Sequence, residues 1–483
     1  MNIDFKLDKN SSTPLYIQLY ENLKMTIDDL SDGEKLPSIR SLAKALEINN
    51  VTVINAYKML EQEGLVYTVE GSGTYVRKPL KNYGLMNLEE GDIELMLSGI
   101  FPHSKVNVDF ASVTPSPDLF PIKDFKESLI EVLDRDGGNA FSYPEIRGYE
   151  PLRESISKFL LDNYSIDVSV DEILITSGGQ QGLDIISKTL IEPLDVVFVE
   201  NPTYPGAYQA FKSRGAKIIG IPMEKDGINI EILKSYLKRY SPKFIYTMPN
   251  FQNPTTICYS EEKKRELLRL AIEHDFYIVE DDFLTDLTFN SSTLYPIKSY
   301  DRSDKVIFIK SFSKIFMPGI RVGFLTVPEE IFKDIYKAKH STDISSSGYL
   351  QRAFDLYLRK GYWKNYIENI KESYKKKYDL FTSELDKLST LGISYAKPDG
   401  GLSVWVNLDE NISQAKVYED CLKFGLATVP GNVFSIDINS NINALRLSFS
   451  APELDEIPLG FSILKNVLSN IKNGDKKTYM PFV

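Results

Sequence analysis

The chain has 483 residues, of which 42% are hydrophobic and 25% charged, with a formal net charge of −11. That length exceeds one ordinary domain, and the composition is that of a globular protein. No apolar run reaches the ~18 residues that span a bilayer, and the opening MNIDFKLDKN lacks the apolar core of a signal peptide. Two cysteines, Cys258 and Cys421, are too few for a disulfide framework, so a cytoplasmic location is expected. Three scattered histidines, His103, His274 and His340, have no metal-ligand spacing, and no metal is expected. The acidic balance speaks against wholesale wrapping of nucleic acid but leaves room for one DNA-binding face.

In chain order, Tyr16, Tyr20, Leu23 and Ile27 recur at helical spacing, with Pro14 suited to the first turn. A second helix carries Ile39, Leu42, Ala43 and Leu46 on one face, with Ser38 placed to cap it. A third starts at Asn49 or Asn50, buries Val53, Ala56, Tyr57 and Leu60, and ends at Gly64. Only a few residues separate the last two, which is helix-turn-helix spacing. LVYT and GTYV then flank an EGSG turn, which predicts a hairpin. Three helices and a hairpin make a winged helix. The outward face of the third helix holds Val51, Thr52, Asn55 and Lys58, short or polar groups suited to a DNA groove.

The runs LPSIRSLA, NNVTVINAYKMLEQEGLV and EGSGTYV closely resemble the winged helix of GntR-family regulators. The resemblance implies DNA contacts from Arg40, Asn49, Asn50, Thr52 and the wing-tip Gly71. Residues 1–80 hold nine Lys and Arg against eleven Asp and Glu, net −2. One copy would therefore hold DNA weakly, and a dimer on two half-sites is expected.

The DNA-binding domain is read as residues 1–78, a linker as 79–107 and the large domain as 108–475. The linker region has no sustained period and several Gly and Pro. Beyond it, apolar runs at 172–176, 195–200, 217–223, 243–248, 276–281 and 305–310 alternate with helical segments. That pattern predicts an α/β fold with a mostly parallel sheet covered by helices, followed by a smaller C-terminal α+β part. Ligands bind such sheets beyond the carboxyl ends of the strands.

The strand ends are polar in a particular way. SGGQQG follows the first run, NPTYPG the second, PNFQNPTT the fourth, EDDF the fifth and SFSKIFMPGIR the sixth. Together they supply a glycine-rich anion cradle, an aromatic face, an asparagine, a carboxylate, a lysine and an arginine. One cofactor needs that set: pyridoxal 5′-phosphate, with its phosphate, flat ring, phenolic oxygen, ring nitrogen and lysine-seeking aldehyde.

Order and spacing over 108–470 closely resemble the fold-type I aminotransferases, in particular the kynurenine and aminoadipate subgroup. The resemblance implies that Lys314 anchors the aldehyde and shuttles protons, and that Asp281 holds the ring nitrogen protonated. It places Asn253 at the phenolic oxygen and Tyr204 against the ring. Gly179, Gln180, Ser311 and Arg321 would take the phosphate, with Tyr143 reaching the phosphate of a neighbouring subunit. Arg446 in LRLSFS would pair with a substrate or effector carboxylate, a role that suits the guanidinium fork. Two departures stand out. Phe283 and Leu284 stand where the subgroup usually has a tyrosine, and phenylalanine has no hydroxyl to donate. NPTT replaces NPTG at Thr256.

Joined in this order, the two parts resemble the MocR/GabR family of bacterial regulators. That implies a homodimer with head-to-tail subunits, double-stranded operator DNA as one partner, and an amino acid or amine effector. A working aminotransferase with an N-terminal DNA-binding module is the alternative. A sensor of pyridoxal phosphate alone is a third reading.

Overall fold

The structure is a computed structural model that describes residues 7, 13–27, 34–62, 65–69, 73–76, 106–289, 293–437 and 440–473. It divides into two units, Met1–Met86 and Asn87–Val483. The expected linker falls almost wholly on 77–105, and that stretch, Gly64 and Gly71 all lie outside the described residues.

The first unit contains helices Leu15–Ile27, Ile39–Ala45 and Asn50–Gln62, then antiparallel strands Val66–Val69 and Gly73–Val76. The helical apolar stripes meet in one core built on Leu19, Leu23, Leu42, Val53, Ala56 and Leu60, closed by Val66 and Val76 of the hairpin. Ser38 caps the second helix as expected, its Oγ accepting from Ser41 N at 3.2 Å. Asn49 Oδ1 accepts from Val51 N at 3.0 Å and so starts the third helix. The chain ahead of the second helix joins the hairpin through Leu36 N to Thr74 O at 2.9 Å and Val76 N to Glu34 O at 2.8 Å. The described parts form a winged helix.

In the second unit, an eight-stranded sheet runs in the order Ile173–Thr176, Gly323–Thr326, Val306–Ser311, Tyr277–Asp282, Pro242–Thr247, Val196–Asn201, Lys217–Glu224 and Gly227–Ile228. The five long strands from Val306 to Lys217 in this order pair in parallel. All six expected runs are strands, displaced by a residue or two at their ends. The expectation lacked Gly323–Thr326, which lies antiparallel between the first and sixth runs. Its signal is four residues directly after a turn, and it is defined by pairing with strands distant in sequence.

The C-terminal part carries a four-stranded sheet of Ile393–Tyr395, Ser403–Leu408, Ala444–Ser448 and Val429–Pro430, with helices Tyr362–Asp386 and Glu456–Lys472 beside it. Phe110, Phe381 and Phe461 meet in one aromatic cluster with ring centroids 4.6–5.3 Å apart, which fastens the segment after residue 106 to both helices.

Candidate functional site

The carboxyl ends of the parallel strands gather the polar motifs. Strand Ile173–Thr176 ends in a turn at Gly178, whose φ of +93° favours glycine, and helix Gly179–Leu190 starts there. Arg321 leaves its own turn at φ +50° and lays its guanidinium on this glycine, where a Cβ would stand 2.8 Å from Nη2. Nη2 donates to Ser177 O, and Nη1 lies 3.4 Å from Ser313 Oγ. A Cβ on Gly179 would meet Ser311 Cβ at 3.5 Å. The 177–179 turn, Ser311, Ser313 and Arg321 thus form one cradle of N–H, hydroxyl and guanidinium donors, suited to a phosphate dianion. Gln181 holds the turn in place: its Oε1 accepts from Ser177 N at 2.7 Å, and its Nε2 donates to Asp343 Oδ2 at 2.8 Å.

Lys314 stands in the turn that follows strand Val306–Ser311 and is partly buried. Burial, with help from the positive charges of Arg446 and Arg321, pulls its ammonium down to about 8. Asp281, buried near the end of strand Tyr277–Asp282, accepts one hydrogen bond, from Tyr246 Oη at 2.8 Å. Burial, and behind it Asp282 and Glu200, pushes its carboxyl up to about 7. Tyr204 precedes helix Pro205–Ser213, and its hydroxyl lies 3.3 Å from Gln180 Oε1. Gln180 Nε2 donates to Gly206 O at 3.1 Å, and a Cβ on Gly206 would lie 2.6 Å from the Tyr204 ring. The tyrosine is therefore wedged against its own helix start. Burial pushes its hydroxyl up to about 12, so it stays neutral.

Arg446 lies on strand Ala444–Ser448 and is 3% exposed, not a surface charge. Its Nη1 donates to Asn253 Oδ1 at 3.1 Å and its Nη2 to Ala111 O at 2.8 Å, while Nε is buried without a partner. The Phe434 ring lies 5.0 Å from its Cζ. Burial pulls the guanidinium down to about 10, against the opposing charge of the buried Asp109 carboxyl.

Lys314, Asp281, Tyr204, Asn253, Gly179, Gln180, Ser311, Arg321 and Arg446 are thus linked by direct contacts or charge effects around the strand ends. Tyr143 is not among them: it is 81% exposed on its own subunit. Phe283 is buried and supplies no hydroxyl. In the first unit Arg40, Asn49 and Asn50 are exposed and Thr52 half-buried, beside exposed Val51, Asn55 and Lys58. The Asn49 side chain is engaged in its helix start.

Sequence reasoning missed the supports. Glu200 is fully buried, and its carboxylate accepts from Thr247 and Tyr259 hydroxyls at 2.7 Å, Met248 N at 3.0 Å and Gln252 Nε2 at 2.9 Å. Gln252 Nε2 also donates to Pro202 O at 2.9 Å, which ties the loop of Asn253 to the loop of Tyr204. The available signal was an ionisable residue closing the apolar run VVFVE.

The family model described as aminotransferase class I and II matches residues 110–458, and the bacterial regulatory proteins, gntR family, model matches 15–76. The chain is 30% identical to the uncharacterized HTH-type transcriptional regulator YdfD of Bacillus subtilis, over 94% of this chain and 96% of that one. It is 26% identical to the probable rhizopine catabolism regulatory protein MocR of Rhizobium meliloti, over 84% and 81%. Among solved structures, the kynurenine aminotransferase of Pyrococcus horikoshii superposes with a TM-score of 0.74 at 33% identity, covering 81% of this chain and 96% of that one. The chain belongs to the aminotransferase class I and II family and, through the gntR-family domain fused ahead of it, to the MocR-type transcriptional regulators.

Proposed function

We propose that the large domain holds pyridoxal 5′-phosphate at Lys314 and an amino acid or amine at Arg446, and that this occupancy sets the DNA contacts of the winged helix. In this reading residues 1–78 bind DNA, 79–107 connect, and 108–475 sense the ligand. The observation that carries it is Lys314: a partly buried amine pulled down to about 8, with a cradle built on Arg321 and a buried guanidinium, Arg446, acting on it. The kynurenine aminotransferase similar to this chain was solved with PMP.

The residues fit the cofactor. The cradle of Ser177, Gly179, Ser311 and Arg321 takes the phosphate, and the room beside Gly178 is what lets the guanidinium approach. The buried Asp281 carboxyl, neutral in part near pH 7, becomes a full carboxylate when a protonated ring nitrogen pairs with it. Tyr204 offers a neutral ring face, Asn253 an amide for the phenolic oxygen, and Tyr143 a hydroxyl for the phosphate of a second copy. Bound there, the cofactor supplies an aldehyde and an electron-withdrawing ring. Lys314 Nζ holds it through a neutral amine and moves the proton at the ligand's Cα. Arg446, steadied by Asn253, orients the ligand carboxylate.

The regulator acts as a head-to-tail homodimer on two half-sites, because one weakly acidic winged helix neutralises few phosphates. Transmission requires the ligand to favour one arrangement of domains over another. The similarity to the kynurenine aminotransferase keeps the enzyme as a second reading. The discriminating experiment adds pyridoxal phosphate and then amino acids to the purified full chain. A yellow chromophore that an amino acid alters, without sustained release of keto acid, supports the regulator. Steady keto-acid production supports the enzyme.

A further inference from the structure

Tyr246 lies on strand Pro242–Thr247 and is fully buried. It stands opposite Val279 of the neighbouring parallel strand, and Asp281 is the next residue on the same face of that strand. The Tyr246 hydroxyl donates to Asp281 Oδ2 at 2.8 Å, and among the described residues no second donor reaches that carboxyl. Oδ1 is left for a donor from outside the chain. The Tyr246 ring meets the edge of Phe211, with centroids 5.6 Å apart, and Phe211 sits on the helix Pro205–Ser213 that Tyr204 precedes. Burial, with the charge of Asp281 behind it, holds the Tyr246 phenol well above its ordinary value. It keeps its proton through the neutral range and so meets this carboxylate as a donor.

Resting on the cofactor reading above, we infer that Tyr246 is a positioning residue that holds Asp281 with Oδ1 toward the ring nitrogen and keeps the proton they share on that nitrogen. Two forms of the pair compete: a ring N–H with a carboxylate, and a bare ring nitrogen with a carboxylic acid. They differ only in where one proton sits. Burial favours the uncharged form, because it takes the carboxylate out of water. A donor on Oδ2 favours the charged form, because a hydrogen bond to an ionised acceptor is the stronger one. The same opposition holds in the empty chain, where burial pushes the Asp281 carboxyl up to about 7 against the hydrogen bond from Tyr246. Without the hydroxyl, burial acts unopposed. The proton then shifts toward Asp281, and the ring withdraws electrons less strongly. Phe211 fixes the ring that carries the hydroxyl, so it acts on Asp281 through Tyr246.

The test loads the full chain with pyridoxal phosphate carrying an isotope-labelled ring nitrogen and reads that nitrogen by NMR. The unmodified chain is expected to show a protonated ring nitrogen. In Tyr246→Phe, which keeps the ring and removes the hydroxyl, the signal is expected to move toward that of a bare nitrogen. Cofactor affinity is expected to fall by about tenfold. In an Asp281→Asn background the same substitution is expected to change affinity by less than about twofold, because the group it acts through is gone. Phe211→Leu keeps the hydroxyl but loosens its ring, and is expected to move the signal the same way by less; it carries the test if Tyr246→Phe does not fold. A nitrogen signal unmoved in the folded variants, or an equal loss of affinity in both backgrounds, overturns the inference and leaves the cofactor assignment standing. If no chromophore forms in the unmodified chain, the cofactor assignment falls and takes this inference with it.

Discussion

Lys310 and Asp282 are partners across two parallel strands, with Lys310 Nζ 2.9 Å from Asp282 Oδ2 and 2.8 Å from Asp286 Oδ2. Lys310 is fully buried and Asp282 nearly so, and the Tyr164 ring lies 4.8 Å from the ammonium. Side chains alternate along a strand, so Asp281 faces away from this cluster and toward the lysine site. The cluster holds two carboxylates with one ammonium, directly behind the strand ends that carry Asp281 and Lys314.

Lys310→Met leaves both carboxylates buried without a cation. It is expected to cost about 3–5 kcal/mol, read as a lower urea midpoint at unchanged slope, with Lys310→Arg recovering part of the loss. An unchanged midpoint in the methionine variant would show that the cluster carries no structural weight.

Asp281→Asn is expected to move stability and cofactor binding in opposite directions. A carboxyl raised from 3.8 to about 7 keeps its proton in the folded chain and loses it in the unfolded chain between those values. Folding stability therefore falls as pH rises through that window. Removing the charge should raise the melting temperature of the cofactor-free protein at pH above 7 by about 2 °C or more. It should lower pyridoxal phosphate affinity at least about tenfold. A variant that loses both stability and affinity would argue for a merely structural aspartate.

Capture of pyridoxal phosphate should be pH-dependent through Lys314. Its amine must be neutral to react, and the folded chain pulls its ammonium down to about 8. The capture rate is expected to rise about tenfold per pH unit below that value and to level above it. Stopped-flow absorbance reads this directly, and a rate that is flat through neutral pH contradicts the assignment.

Arg40 is exposed at the start of the second helix. Arg40→Ala should weaken binding to duplex DNA and reduce the salt dependence of the affinity by about one charge. Equal slopes for the two proteins would remove Arg40 from the phosphate contacts.

Much of this architecture is local in origin and so was legible early. Each buried parallel strand is a short apolar run, and each ligand-facing residue is a polar break just after one, as in IFIKSFSK. Helical stripes such as Val53, Ala56, Tyr57 and Leu60 likewise predict their own burial. What was not legible depends on pairing. Glu200 reads as a polar residue at a strand end until Thr247, Gln252 and Tyr259 arrive from elsewhere in the chain. Lys310 and Asp282 become partners only when the register of adjacent strands is known. Arg446, alone in a short apolar run, gave no sign that Asn253 and Ala111 would hold it in the interior.

The central claim is that occupancy of the lysine site reaches the DNA. The direct measurement is the affinity and footprint of the full chain on its operator, with and without pyridoxal phosphate plus an amino acid that alters the chromophore, beside the Lys314→Ala variant. The expected result is a change in affinity of about fivefold or more in the unmodified protein and none in the variant. An affinity and footprint that stay the same in the unmodified protein, with the chromophore formed, would contradict it.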